Sequence, residues 1–287
     1  MNILITGTNG QLGSEIRELS LQFSEHIFFF ENSKTLDVTN EELVCGYVKE
    51  NKIEAIINCA AYTAVDKAEN DYDKAEQVNG QGVKNLVKAL GNVKGKLIHI
   101  STDYVFNGQS FTPYAESQKV APIGVYGVTK RKGEEYVINS DIEAIIIRTS
   151  WVYSNHGNNF VKTMMRLGKE REELNVIFDQ VGSPTYAKDL GSVCLDILTN
   201  QDKIDEKSKI YHYSNEGVAS WYDFAIAIME IADIECKVYP IETKEYPTPA
   251  KRPSYSLLNK TKIKNDFNIE IPYWRDSLKE CIKKIEN

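Results

Sequence analysis

The run Ile3-Leu4-Ile5-Thr6-Gly7-Thr8-Asn9-Gly10-Gln11-Leu12-Gly13 decides how the chain is read. It opens on apolar residues, as a strand covered on both faces does. It then sets glycines at 7, 10 and 13, and a helix-like segment near 11–22 follows. A glycine turn between strand and helix lets backbone approach a pyrophosphate, and the helix start offers its free N–H groups to that charge. The spacing is G-x-x-G-x-x-G, not the commoner G-x-G-x-x-G, so the context carries the motif. Without that context, three glycines make only a tight turn.

Outward from this run, short apolar stretches recur at Ile27–Glu31, Ala55–Asn58, Lys96–Ser101 and Ala144–Arg148. Helix-like segments near 41–51, 72–90 and 126–138 lie among them. Strands alternating with helices predict β-α-β units, hence an α/β fold with a Rossmann-type, doubly wound parallel sheet. The pattern loosens after Trp151. A helix near 158–169, a strand at Val176–Phe178, a polar loop over 200–209 and a helix from the cap residue Ser220 to about Ile231 are expected there. Prolines bar a long regular element between Pro247 and Pro253. The expected organisation is a dinucleotide-binding domain over residues 1–150, to which the chain returns within about 175–215, and a smaller, mixed C-terminal substrate-binding part over 151–287.

The net charge of −7 argues against a nucleic-acid binder, which needs clustered Lys and Arg to neutralise phosphates. No apolar stretch reaches the roughly 20 residues of a membrane span, and no signal peptide is read at the start. Five cysteines without a C-x-x-C suggest reduced thiols and a cytoplasmic protein. The four histidines show no metal-ligand spacing.

Tyr126 and Lys130 stand four residues apart at the head of a helix, so they share a face. An ammonium beside a phenol is expected to lower the phenol's pKa. Thr102, at the carboxyl edge of the fourth strand, faces the ligand crevice of a parallel sheet. Together the three supply a carbonyl hydrogen-bond donor, a proton donor and a cation, which is what carbonyl reduction needs. Singly, each also reads as an ordinary surface or turn residue. Glu31, 24 residues past Gly7, stands where an acidic side chain meets an adenosine ribose. Its carboxylate favours a 2′-hydroxyl over a 2′-phosphate, which tilts the reading toward NADH, with Lys34 nearby softening the tilt and NADPH left open; Glu31 reads about equally as an exposed strand-end glutamate. Asp37 and Val38, which follow, read equally as a contact for the adenine or as an ordinary N-terminal helix-cap region. Small residues around Ala61 would let a flat cofactor lie against backbone, although such pairs also serve close packing.

This combination resembles the extended short-chain dehydrogenase/reductase superfamily, whose cofactor loop is matched by Thr6–Gly13 and whose neighbouring helix is matched by Asn79–Leu86. Within it the chain resembles the dTDP-4-dehydrorhamnose reductases. The narrower likeness rests on Ala60-Ala61-Tyr62-Thr63-Ala64-Val65-Asp66, Ser101-Thr102-Asp103-Tyr104-Val105-Phe106, Arg148-Thr149-Ser150-Trp151-Val152-Tyr153, Gly157-Asn158-Asn159-Phe160, Asp179-Gln180-Val181-Gly182-Ser183-Pro184-Thr185 and Arg252-Pro253. The resemblance implies reduction of the C4 ketone of dTDP-4-dehydro-L-rhamnose by NADH or NADPH. It implies that Gly7, Gly10, Gln11, Leu12, Glu31, Asp37, Val38, Ala61, Tyr62 and Thr63 hold the dinucleotide, with Tyr126 and Lys130 touching its ribose. It implies that Thr102, Asp103, Tyr126 and Trp151 contact the sugar, and that Asn159 and Arg252 meet the diphosphate. Some members place Mg2+ at a homodimer interface on glutamates. Glu15 fits one such position, but Lys188 stands where a second carboxylate would, so no bound metal is expected. A homodimer is compatible with the likeness. The rival readings are a reductase or epimerase of another nucleotide-sugar, and a non-catalytic regulatory subunit of the same fold.

Overall fold

The computed structural model describes residues 1–199 and 209–286. The first half runs β1 (Asn2–Thr6), α1 (Gln11–Leu19), β2 (Ile27–Phe30), α2 (Glu41–Glu50), β3 (Ala55–Asn58), α3 (Val65–Ala68), α4 (Tyr72–Glu76), α5 (Gly82–Val93), β4 (Lys96–Thr102), α6 (Val125–Ile138) and β5 (Glu143–Thr149). The second half runs β6 (Val152–Tyr153), α7 (Phe160–Glu170), β7 (Glu173–Ile177), β8 (Val181–Gly182), β9 (Thr185–Tyr186), α8 (Ala187–Thr199), β10 (Lys209–His212), β11 (Ala219–Ser220), α9 (Trp221–Ile231), β12 (Lys237–Ile241), α10 (Thr261–Phe267) and α11 (Trp274–Glu286). The loop expected over 200–209 lies outside the described residues except for Lys209, which opens β10.

Six parallel strands form one sheet in the order β10-β5-β4-β3-β1-β2. Alternation along each strand sorts its side chains between two helical layers. Ile3 and Ile5 face a cluster with Leu12 and Ile16 of α1 and Leu190 and Cys194 of α8. Leu4 faces the other side, among Val44 and Val48 of α2 and Leu86 and Leu90 of α5. Each such buried branched side chain contributes about 1.5–3 kcal/mol, which is why these strands need no polar face. The strand order reverses between β1 and β3, and a crevice opens at the carboxyl ends there.

The helix expected over 72–90 is not continuous. Residues Gln77–Gln81 form a π-turn between α4 and α5. The turn buries Asn79, whose side chain accepts from Tyr62 N at 2.8 Å and donates to Thr129 Oγ1 at 3.1 Å. A local widening of the helix thus ties the loop after β3 to α6, in keeping with the local roles of π-turns.

Residues past 151 build a second core in which Met164, Phe224, Ile228, Trp274 and Leu278 pack together beside the parallel pair β7–β12. Ser220 caps α9 in a reciprocal capping box with Asp223. The strand expected at Val176–Phe178 spans Glu173–Ile177, and α7 starts two residues later than expected because Asn159 is its cap. Two later segments also belong to the first half: α8 lies on α1 and β10 pairs with β5. Among the described residues, no helix is long and apolar enough to cross a membrane. All five cysteines are free thiols.

Candidate active site

A cleft of about 980 Å³ opens at the carboxyl ends of β1, β3, β4 and β5. The glycine turn forms its floor. Gly7 has φ +66°, and a Cβ there would lie 2.7 Å from backbone atoms of Cys59 and Ala60, so only glycine fits. The first turn of α1 has no side-chain cap and no acidic residue, which leaves its N–H groups to an anion. Gly10, Gln11 and Leu12 line the cleft at this point. Asp37 and Val38 line one end, and Ala61, Tyr62 and Thr63 line the middle. This cradle suits a dinucleotide: glycine backbone and a bare helix start for the pyrophosphate, small residues for a flat ring.

Glu31 is not on that wall. Its carboxylate accepts a hydrogen bond from the Tyr47 hydroxyl at 2.7 Å, and Asn32 and Ser33 line the cleft beside it instead. The two neutral side chains carry no charge to repel a phosphate. Asn159 and Arg252 are also absent from the cleft wall. Asn159 caps α7 by accepting from Lys162 N, and it donates to Gln11 Oε1 at 3.0 Å and Ser154 O at 2.6 Å. Its neighbours Gly157 and Asn158 line the cleft in its place. Arg252 makes a two-pronged pair with Asp66 at 2.8 and 3.1 Å and also donates to Ala250 O.

Thr102, Asp103, Tyr126, Lys130 and Trp151 all line the cleft. Thr102 ends β4, and α6 delivers Tyr126 and Lys130 from the side. The approach of α6 is close: a Cβ on Gly127 would fall 2.2 Å from Tyr104 O. The Tyr126 ring meets Tyr104 edge-on at 5.4 Å.

The expected lowering of the Tyr126 pKa is not found. Burial pushes the phenol up to about 12, a hydrogen bond with Thr102 works against that, and the Asp103 charge adds to it. Lys130 does not offset this, because its buried ammonium donates to Ile100 O at 2.6 Å. The outcome suits a proton donor, which must be protonated before it reacts. Burial lowers Lys130 to about 8, with Glu134 and then Cys59 pulling the other way. Asp103 is pushed up to about 6 by burial, against hydrogen bonds from Ser256 and Thr102.

Two supports of this arrangement were not read from the sequence. Glu134, fully buried and one turn past Lys130, accepts from Arg148 Nε at 2.7 Å and Nη2 at 2.8 Å. It also accepts from Ser101 Oγ at 2.6 Å and Arg131 Nη1 at 2.9 Å. The i, i+4 spacing from Lys130 was the available signal. Glu69, after α3, accepts from Val125 N at 2.9 Å and so holds the start of α6. Glu69→Ala is expected to cost about 1 kcal/mol, as loss of a helix cap does, and to lower kcat by loosening Tyr126; urea unfolding and turnover check the two effects.

At the position where a magnesium ion would sit, Glu15 gathers with Glu18 and His156, with ligand atoms within 4.8 Å of one another. The donor set does not fit a dication. Lys284 Nζ stands 3.1 Å from Glu18 and 4.0 Å from Glu15, Ser154 donates to Glu15 at 2.7 Å, and Lys188 pairs with Glu280. The chain supplies its own positive charge to these carboxylates.

A doubly wound sheet with a glycine cradle, and a threonine, tyrosine and lysine on one cleft, defines an extended short-chain dehydrogenase/reductase. The chain belongs to the dTDP-4-dehydrorhamnose reductase family: the family model described as RmlD substrate binding domain matches residues 1–287. The dTDP-4-dehydrorhamnose reductase of Aggregatibacter actinomycetemcomitans is 41% identical, over 96% of this chain and 97% of the relative. The crystal structure of the dTDP-4-dehydrorhamnose reductase of Clostridium acetobutylicum is 42% identical, with a TM-score of 0.95 and all of both chains covered. That of Bacillus anthracis, in complex with NADP, is 40% identical, with a TM-score of 0.93 over 99% of each chain.

Proposed function

We propose that the chain reduces the C4 ketone of dTDP-4-dehydro-L-rhamnose to give dTDP-L-rhamnose, using NADPH or NADH. The observation that carries this is the meeting of Thr102, Tyr126 and Lys130 on the same cleft as the glycine cradle. Bound reduced nicotinamide supplies the hydride. Thr102 hydrogen-bonds the carbonyl oxygen, and Tyr126 delivers the proton to the developing alkoxide. Lys130 keeps a positive charge beside the reacting oxygen and holds the ribose. Asp103 and Trp151 bound the sugar. The engagement of Glu31 by Tyr47 supports NADPH as the better reductant, as does the NADP held by the similar Bacillus anthracis protein. Asn159 and Arg252 would reach the diphosphate only by giving up their present partners. The five free thiols support a cytoplasmic setting, and a homodimer is the assembly we expect.

Lys130 sets the alkaline limit of the reaction in this reading. Its ammonium is lost as pH rises through about 8, so kcat/KM should fall on that side. Lys130→Arg should retain the charge and remove the limb; a pH profile of kcat/KM for both proteins measures this.

The deciding experiment gives the purified protein dTDP-4-dehydro-L-rhamnose with each cofactor in turn. It follows loss of reduced-nicotinamide absorbance and identifies the product by NMR. Turnover that needs both reactants and yields dTDP-L-rhamnose is expected. Turnover only with other nucleotide-ketosugars would replace the substrate, and none with any would remove the catalytic reading.

A further inference from the structure

We propose that Trp221 is a positioning residue of the sugar site: with Gly182 it fixes the Trp151 indole in the cleft wall, and the fixed indole selects 6-deoxy over 6-hydroxy ketosugars. The proposal rests on the reading of the cleft given above.

Trp151 has φ +49°, a left-handed backbone conformation that a bulky side chain rarely adopts. Such a backbone persists only where its surroundings hold it. Here Thr185 N donates to Trp151 O at 3.1 Å, and β6, immediately after it, pairs with β9. The indole is held as firmly. Trp221 stacks on it with ring centroids 3.7 Å apart and planes 11° from parallel. Phe160 packs in turn on Trp221 at 4.7 Å. A Cβ on Gly182 would come within 2.9 Å of Trp151 Cε2 and 3.1 Å of Cζ2, so the indole fills the space that any side chain at 182 would claim.

These two holds share one origin. Gly182 in β8 pairs with Ala219 in β11, and Trp221 follows at the first position of α9. The capping box of Ser220 and Asp223 fixes where α9 begins, and hence where the Trp221 ring stands. A two-residue ladder thus sets both the indole's partner and the gap that it occupies. Trp221 is not itself on the cleft wall, whereas Trp151 is. A fixed apolar plane favours a methyl group over a hydroxymethyl, whose hydroxyl would lose its water against it without a partner.

The test uses the full chain with Trp221→Leu, Trp221→Phe, Gly182→Ala and Trp151→Ala. For each, KM and kcat are measured with the 6-deoxy ketosugar and its 6-hydroxy counterpart, together with the Kd for NADPH. Circular dichroism reports the exciton couplet of the stacked indoles. Trp221→Leu should abolish the couplet and raise KM for the 6-deoxy sugar about 3- to 10-fold, in line with the worth of an aromatic pair. It should lower the preference between the two sugars by a similar factor and leave the Kd for NADPH unchanged. Trp221→Phe should restore most of the preference. Gly182→Ala, which keeps both indoles but displaces one, should shift the preference too, and it decides the matter if Trp221→Leu does not fold. If Trp151→Ala changes KM but neither Trp221→Leu nor Gly182→Ala does, this inference is overturned and the cleft assignment stands. If Trp151→Ala itself leaves KM and preference unchanged, the reading of Trp151 as a sugar contact fails, and this inference with it.

Discussion

Replacing Tyr126 by phenylalanine lowers kcat by about 10²–10⁴-fold and leaves NADPH affinity nearly unchanged, the range expected for loss of a general acid. The substitution is selective because phenylalanine keeps the ring that packs edge-on against Tyr104 and removes only the hydroxyl. The helix is anchored elsewhere, at Gly127, Glu134 and the Glu69 contact, so its position does not depend on the phenol. With the hydroxyl gone, the proposed carbonyl contact of Thr102 can persist, but the proposed proton donor is lost. Single-turnover measurements separate the chemical step from binding. Full activity in the variant would show that the proton comes from another group.

Glu134→Gln destabilises the fold by about 3–5 kcal/mol, because it leaves Arg148 buried with its charge unmatched. Burial works to raise the Glu134 pKa. The hydrogen bonds and charge of Arg148, with Ser101 and Arg131, outweigh it and hold the carboxyl below its usual 4.5. The sign follows from that lowering: the contribution is fully present above the unfolded pKa and is lost as pH falls through the lower, folded one. The substitution also removes a charge that favours the Lys130 ammonium, so the alkaline limb of kcat/KM should move to lower pH. Urea unfolding measures the first effect and a pH profile the second. The double replacement Glu134→Leu with Arg148→Met should recover much of the stability, as apolar substitutes for buried pairs often do, without recovering the pH limb. Wild-type stability in Glu134→Gln would mean that the pair carries no weight in the fold.

The parts of the molecule legible in the sequence are those fixed by local pattern. The strands β1 to β5 are short, mostly apolar runs, and each was placed within a residue or two. The glycine turn and the Tyr126–Lys130 spacing are local too, and the structure brings them to one cleft. What stayed hidden depends on partners far along the chain. Glu31 is claimed by Tyr47 from another element, and Arg252 by Asp66, 186 positions away. The phenol's pKa follows from its burial, which no spacing reveals, and so spacing gave the wrong direction. The π-turn arises because Asn79 turns inward to serve Tyr62 and Thr129, against a segment whose periodicity is simply helical.

The sixth strand of the sheet has a bearing on biosynthesis. β10 is supplied from residues 209–212, yet it closes the flank of β5, where Ala144, Ile145, Ile146 and Ile147 are all buried. A nascent chain that has emerged only to residue 150 therefore carries an open strand edge with its backbone groups unmatched. Such an edge recruits neighbouring chains. Truncation at the boundary the sequence suggests is expected to yield a fragment prone to aggregation, because the strand that covers that flank arrives only at residues 209–212.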